Sequence, residues 1–331
     1  MSLTEPGYCF GTGFLAGETE TRLPKQKPGF TLRASTRKVE TVRVIGYRSQ
    51  RTLAAPAELS GVGLITGTRV RVRFTPAPAN RGIVFRRIDL AGSPAVVAHP
   101  SAITNTNRRT TLGPATTGVS LTEHVLSALA GLRIDNCTID IDSIEPPGLD
   151  GSAGRFTEIL MKAGAVLQHA RRPIYSPGHT VLATGPDTTI ALHPATEPGL
   201  RATYILDYGL NSPIPRQMFT LDVTPESYIR EVSHCRTFCT EQEAKAMKAI
   251  GLAPHLRFAD TLVFGSRGPI DNRLRFADEP ARHKVLDVIG DLALCGFDLA
   301  GHVVACRSGH TLNAELARKL VAEVEGLRQA A

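Results

Sequence analysis

Two stretches of this chain recur in the same order, and that recurrence limits its possible folds more than any other feature. RFTPAPANRGI at 73–83 resembles ALHPATEPGL at 191–200, and TEHVLSALAGL at 122–132 resembles ARHKVLDVIGDL at 281–292. The first pair begins in strand-like sequence. TRVRVRFTP at 68–76 alternates apolar and polar residues, as a half-buried strand does. PAPANRG at 76–82 reads as a turn and IVFRRIDL at 83–90 as a second strand, which predicts a hairpin. The second pair has helical spacing, with a helix expected over about 121–131. A strand is expected at 137–144 (CTIDIDSI) and a helix with one apolar face at 152–166 (SAGRFTEILMKAGAV). Strand, turn and helix in the same order twice imply a duplicated α+β module. RRPIYSPGH at 171–179 is expected to link the copies. The second copy carries extra length around 235–272, and insertions of that size often carry function.

Bulk properties narrow the class. The 331 residues suit about two domains, and 42% hydrophobic with 21% charged residues suits an ordinary globular core. Residues 1–47, rich in Gly, Pro, Thr, Lys and Arg with weak periodicity, read as a flexible extension. The net charge of +7 suits an anionic partner, but the basic residues are dispersed, Trp is absent and aromatics are only 5%. Nucleic acid, which needs basic stripes and stacking rings, is therefore not expected. The six Cys form no CxxC pair and sit in apolar surroundings, as reduced cytoplasmic thiols do. No stretch approaches the roughly 20 apolar residues of a membrane span, and no signal peptide is expected.

The chemistry-bearing residues fall on the repeated helix. His283 and Asp287 are four apart in RHKVLDVIGDL, so they share one helix face. Asp291 continues the stripe. Taken alone, these residues also fit a capped, salt-bridged helix. Ser120 and Glu123 likewise fit a capping box, in which each side chain satisfies the other's backbone N–H. The repeat shifts the balance, because it places His124 opposite His283. A His, His, Asp set with a fourth position open for water is the pattern of catalytic zinc. Glu123, next to a ligand, is then placed to take a proton from that water. His310, in SGHTLN after an apolar strand, becomes a charged general acid if it reaches Asp291.

These residues sit in a larger set of motifs. GVGLITG, PAPANRGIVFRR, LTEHVLSALAGLRIDN, LDGSA, CRTF, LRFADEPARHKVLDVIGDL and SGHTLN resemble, in order and spacing from about Arg48 to Leu327, the UDP-3-O-acyl-N-acetylglucosamine deacetylases. The resemblance implies an α+β fold of two similar domains, 48–170 and 175–327. Each is a two-layer sandwich of sheet and helices, with the active site between them. It implies a cytoplasmic, monomeric, zinc-dependent enzyme that removes the N-acetyl group from an acylated UDP-amino sugar, the committed step of lipid A biosynthesis. Contact with the inner membrane is at most peripheral. By position, His124, His283 and Asp287 match the zinc ligands and Glu123 the general base. His310 matches the charged histidine, Asp291 its orienting carboxylate, and Thr237 the hydroxyl that polarises the acetyl carbonyl. Lys284, Arg307, Phe238 and Gly309 match substrate-binding positions. The insertion at about 238–264 matches an acyl-chain passage, with Ala244, Met247 and Leu252 as lining. Two positions depart from the family pattern: Ile65 stands where His is usual, and Arg307 where Lys is frequent. A binding module that has lost catalysis would lack a ligand or the base, and none is missing.

Overall fold

In the computed structural model, which describes residues 42–251, 253 and 261–330, each half of the chain builds the same five-stranded sheet. The first half runs β1 (Val42–Leu53), β2 (Ala57–Val62), β3 (Arg69–Pro76), β4 (Ile83–Arg87), β5 (Ala95–Val97), β6 (Ile103–Asn105), β7 (Thr111–Leu112), α1 (Glu123–Gly131), β8 (Cys137–Ile141) and α2 (Gly154–Ala163). After β9 (Ala165–Pro177) come β10 (Val181–Thr184), β11 (Thr189–His193), β12 (Leu200–Leu206) and β13 (Gln217–Asp222). Next comes α3 (Pro225–Glu231), and the insertion then holds β14 (Phe238–Thr240), α4 (Glu241–Ala249), β15 (Leu262–Gly265) and β16 (Gly268–Pro269). The chain closes with α5 (Glu279–Ala293), β17 (Asp298–Leu299), β18 (Gly301–Cys306) and α6 (His310–Ala330). Both halves belong to one compact unit, Val39–Ala331.

The sheet orders match strand for strand, β2-β3-β8-β4-β5 and β10-β11-β18-β12-β13. In both, the strand that follows the repeated helix sits in the middle, antiparallel to one neighbour and parallel to the other. Alternation in the sequence becomes alternation in space. Val70, Val72 and Phe74 of β3 point into the core, while Arg69, Arg71 and Arg73 point to solvent. The hairpin expected from 68–76 and 83–90 does not form, because β8 inserts between β3 and β4. Cys137, Ile139 and Ile141 of β8 are fully buried, and a strand that deep needs ladder partners on both edges.

Two other expectations are corrected. Strand structure is already present at Val42, ahead of the expected boundary at 48, and the flexible-extension reading of residues 1–41 lies outside the described residues. The expected linker at 171–179 is instead mostly the second part of β9, which pairs along β1 and with β17 in a third sheet. Arg48 and Arg172 hold that sheet to both halves. Arg48 donates to both oxygens of Asp135 at 2.7 Å, and Arg172 donates to Asp298 at 2.6 Å.

The halves meet where α1 packs on α5. Val125, Leu126 and Leu129 of α1 and Val285, Leu286 and Ile289 of α5 are buried there. The approach is unusually close because small residues line it. Ser127 donates its hydroxyl to the Leu286 carbonyl at 2.9 Å. A Cβ at Gly290 would lie 2.1 Å from the Glu123 carbonyl oxygen. No helix among the described residues is long and apolar enough to cross a membrane.

Gly290→Ala is expected to force α1 and α5 apart. The obstacle is backbone, so the cost should reach or exceed the roughly 1–3 kcal/mol typical of overpacking. A thermal melt checks this: a variant that melts with the wild type would show that the contact is not tight.

Candidate active site

The crossing of α1 and α5 sets three side chains that could ligate a metal against one another. His124 lies in the first turn of α1, while His283 and Asp287, four apart on α5, project from one face. Asp287 Oδ1 is 3.5 Å from His283 Nε2 and 3.8 Å from His124 Nε2. The two imidazoles stand edge to face with centroids 5.1 Å apart. Among the described residues these three groups form a cluster whose ligand atoms all lie within 4.8 Å of one another.

Neighbouring contacts leave the cluster with lone pairs rather than protons. His283 Nδ1–H donates to the Cys235 carbonyl at 3.0 Å, which turns the Nε2 lone pair toward the cluster. Lys284 Nζ donates to Asp287 Oδ2 at 2.7 Å and leaves Oδ1 free. That oxygen is buried and has no hydrogen-bond partner. Burial, with His283 adding to it, pushes His124 down to about 3, and burial lowers His283 as well. Burial disfavours the Asp287 carboxylate, but Lys284 and then His283 outweigh it and hold the group below the usual carboxylate range. Two neutral imidazoles and an orphaned carboxylate oxygen facing each other are costly to bury without a cation. The donor set therefore fits a divalent metal.

Beside this cluster lie two proton-handling groups. Glu123 is 2% exposed and does not cap its own helix: Thr122 stands at the cap position, and no side-chain cap bond is made. Glu123 Oε2 instead accepts from the Thr110 backbone N–H at 3.0 Å, and Oε1 faces His310 Nε2 at 3.9 Å. Burial pushes the Glu123 carboxyl up to about 7, against the opposing pull of His310. His310 opens α6, and its Nδ1 donates to Asp291 Oδ2 at 2.8 Å. Burial alone would lower His310, but Asp291 and then Glu123 outweigh it and raise the group to about 9. At neutral pH His310 is charged, while burial favours the neutral forms of His124 and His283.

Glu123, His124, His283, Lys284, Asp287 and His310 line a cavity of about 820 Å³, and Asp291 sits behind His310. Thr237 and Phe238 line it too, on the segment whose Cys235 carbonyl orients His283. That segment is anchored by the buried Arg236–Glu279 pair at 2.8 Å. Phe238 meets the His283 ring edge-on at 6.1 Å. Lys284, Arg307 and Gly309 form part of the wall, and Ala244 and Met247 extend it into the insertion. Leu252 lies outside the described residues. Arg307 pairs with Asp207 Oδ2 at 2.9 Å, and Arg216, outside the cavity lining, pairs with the same oxygen at 2.9 Å. Ile65 also lines the cavity, and its N–H donates to Glu145 at 3.1 Å.

Sequence reading did not single out Thr110, the Cys235 carbonyl, Tyr204 or Asp207. Thr110 lies in an irregular loop and the carbonyl is a backbone group, so neither leaves a pattern. Tyr204 lies in β12, where strand alternation masks a site role, and Asp207 directly follows that strand.

Comparison with known proteins agrees with this geometry. The family model for UDP-3-O-acyl N-acetylglycosamine deacetylase matches residues 50–322. A UDP-3-O-acyl-N-acetylglucosamine deacetylase of Citrifermentans bemidjiense is 37% identical over 273 residues, which is 82% of this chain and 88% of that protein. The corresponding enzyme of Chlamydia felis is 37% identical over 281 residues, covering 84% of this chain and 99% of its own length. A Chlorobaculum tepidum protein named "Bifunctional enzyme LpxC/FabZ" is 36% identical over 298 residues, and this chain spans 64% of that longer protein. A match across most of the chain, with relatives that are themselves almost fully covered, shows that the chain belongs to the UDP-3-O-acyl N-acetylglycosamine deacetylase family.

Proposed function

We propose that this chain hydrolyses the N-acetyl group of UDP-3-O-acyl-N-acetylglucosamine, a step of lipid A biosynthesis, with zinc held by His124, His283 and Asp287. The carrying observation is Asp287 Oδ1, buried without a partner and facing two neutral imidazoles, with Glu123 next to them. Two histidines and one carboxylate are a donor set of catalytic zinc sites. Bound there, zinc supplies a Lewis acid that polarises a carbonyl and acidifies water.

The chain's own groups do the rest. Glu123, with a pKa near 7, takes a proton from the attacking water. The Thr237 hydroxyl donates to the acetyl oxygen as it gains charge. His310, kept charged by Asp291, delivers a proton to the nitrogen as the C–N bond breaks. Acetate and a free amine leave. Arg307 on the cavity wall suits the diphosphate, with Lys284, Phe238 and Gly309 along the sugar. The insertion at about 238–264, with Ala244 and Met247 facing the cavity, is the proposed passage for the acyl chain.

Three outcomes test this. Glu123→Ala should lose on the order of 10²–10⁴ in kcat yet retain about one zinc per chain, read by acetate release and metal analysis on one sample. Normal turnover would remove Glu123 from the base role. Thr237→Ala should cost on the order of 10²–10³ in kcat, as loss of an oxyanion donor does, and steady-state kinetics checks it. Activity should fall as pH rises through about 9, because the active form carries the His310 proton and that pKa is raised. Removing the negative charge with Asp291→Asn withdraws the main upward influence, so the alkaline limb of the kcat profile should move to lower pH. An unmoved limb would assign it to another group.

A further inference from the structure

Thr110 is fully buried and joins the two proton-handling groups of the site. Its backbone N–H donates to Glu123 Oε2 at 3.0 Å, and its hydroxyl donates to Asp291 Oδ1 at 2.6 Å. The same hydroxyl lies 3.4 Å from His310 Nδ1. The residue is itself held in place. Thr122 donates to the Thr110 carbonyl through its N–H at 3.3 Å and its hydroxyl at 3.2 Å.

Thr110 stands at the inner end of the loop 105–109, whose residues line the cavity. That loop is tied down around the opening. Thr106 bonds Thr311 at 2.8 Å, Arg108 pairs with Glu243 at 3.1 Å, and Arg109 donates to Ser120 at 2.8 Å.

We propose that Thr110 is a positioning residue of the deacetylation: its amide aims Glu123 while its hydroxyl aims the Asp291–His310 pair. The inference rests on the roles proposed above for Glu123 and His310. Its physical basis is the number of bonds that Asp291 makes. Oδ2 accepts from His310 Nδ1 at 2.8 Å and from Asn313 Nδ2 at 2.9 Å, and Oδ1 accepts from Thr110. A carboxylate engaged at both oxygens cannot rotate, so His310 keeps Nε2 turned toward Glu123 Oε1 across 3.9 Å. The hydroxyl supplies one of the bonds that fix it. Without that donor the Asp291 charge is less satisfied and holds the His310 proton more tightly. The groups facing His310 are Glu123 and His124 from α1, His283, Asp287 and Asp291 from α5, and Thr110 from the loop.

The test is the full pH profile of kcat and KM for zinc-loaded wild type, Thr110→Val and Thr110→Ser, with thermal melts and metal content. Thr110→Val keeps the amide and the shape but loses the hydroxyl. It should lower kcat on the order of 10- to 100-fold, as loss of an outer-shell partner does, leave KM within about twofold, and move the alkaline limb upward. Thr110→Ser should restore most of the loss. If Thr110→Val does not fold, Thr110→Ala carries the same reading. Wild-type kcat in Thr110→Val, or a limb that stays or moves down, overturns the inference, and so does Thr110→Ser as impaired as Thr110→Val. Glu123→Ala assayed alongside separates the two levels. Full activity there defeats the underlying reading, whereas a wild-type-like Thr110→Val defeats this inference alone.

Discussion

The backbone of α5 passes α1 so closely at Gly290 that a methyl group there would lie 2.1 Å from the Glu123 carbonyl oxygen. Everything the site does follows from that approach. The contact places the first turn of α1 against the middle of α5, and the polar residues of both helices face one another. His124 and Glu123 come from one helix, and His283, Asp287 and Asp291 from the other. Neither helix alone carries a complete donor set. α5 packs on its own sheet and α1 beside α2 and α3, and the two sheets share one strand order, so duplication supplied both helices and small residues allowed them to touch.

Over a few ångströms the site holds histidines in opposite charge states. His124 and His283 stay neutral because burial dominates and no free carboxylate charge outweighs it: the Asp287 charge is shared with Lys284. His310 is also buried but has on one ring nitrogen the Asp291 carboxylate, which pairs with no other cation among the described residues, and Glu123 beyond the other. Partner placement, not depth, therefore separates the two neutral histidines of the proposed metal site from the charged one. Glu123 lies between the two kinds, and burial raises its carboxyl into the range where it exchanges a proton near neutrality.

The helix spacing and the repeat were legible in the sequence because both are periodic. His283 and Asp287 at i, i+4, and His124 opposite His283, needed only counting, and the strand RVRVRF announced itself by alternation. What stayed hidden depends on partners distant in the chain. The expected hairpin failed because β8, some fifty residues beyond β4, takes the place between the two strands. The segment 171–179 looked like a linker from its Pro and Gly content, yet its pairing with β1 makes it strand. The Ser120–Glu123 capping box matched a local rule, but in the structure Ser120 bonds Arg109 and Thr111 while Glu123 turns to Thr110. A local rule failed where the chemistry is concentrated.

The central claim is that the paired helices present two neutral imidazoles and one carboxylate oxygen to a single metal ion. X-ray absorption of the purified chain, stripped of metal and reloaded with one equivalent of zinc, tests it directly. The account predicts a tight first shell of nitrogen and oxygen at roughly 2.0–2.2 Å, with two imidazoles in the fit, and loss of one imidazole in His283→Ala. Failure to retain zinc, or a shell containing sulfur at about 2.3 Å, would contradict it.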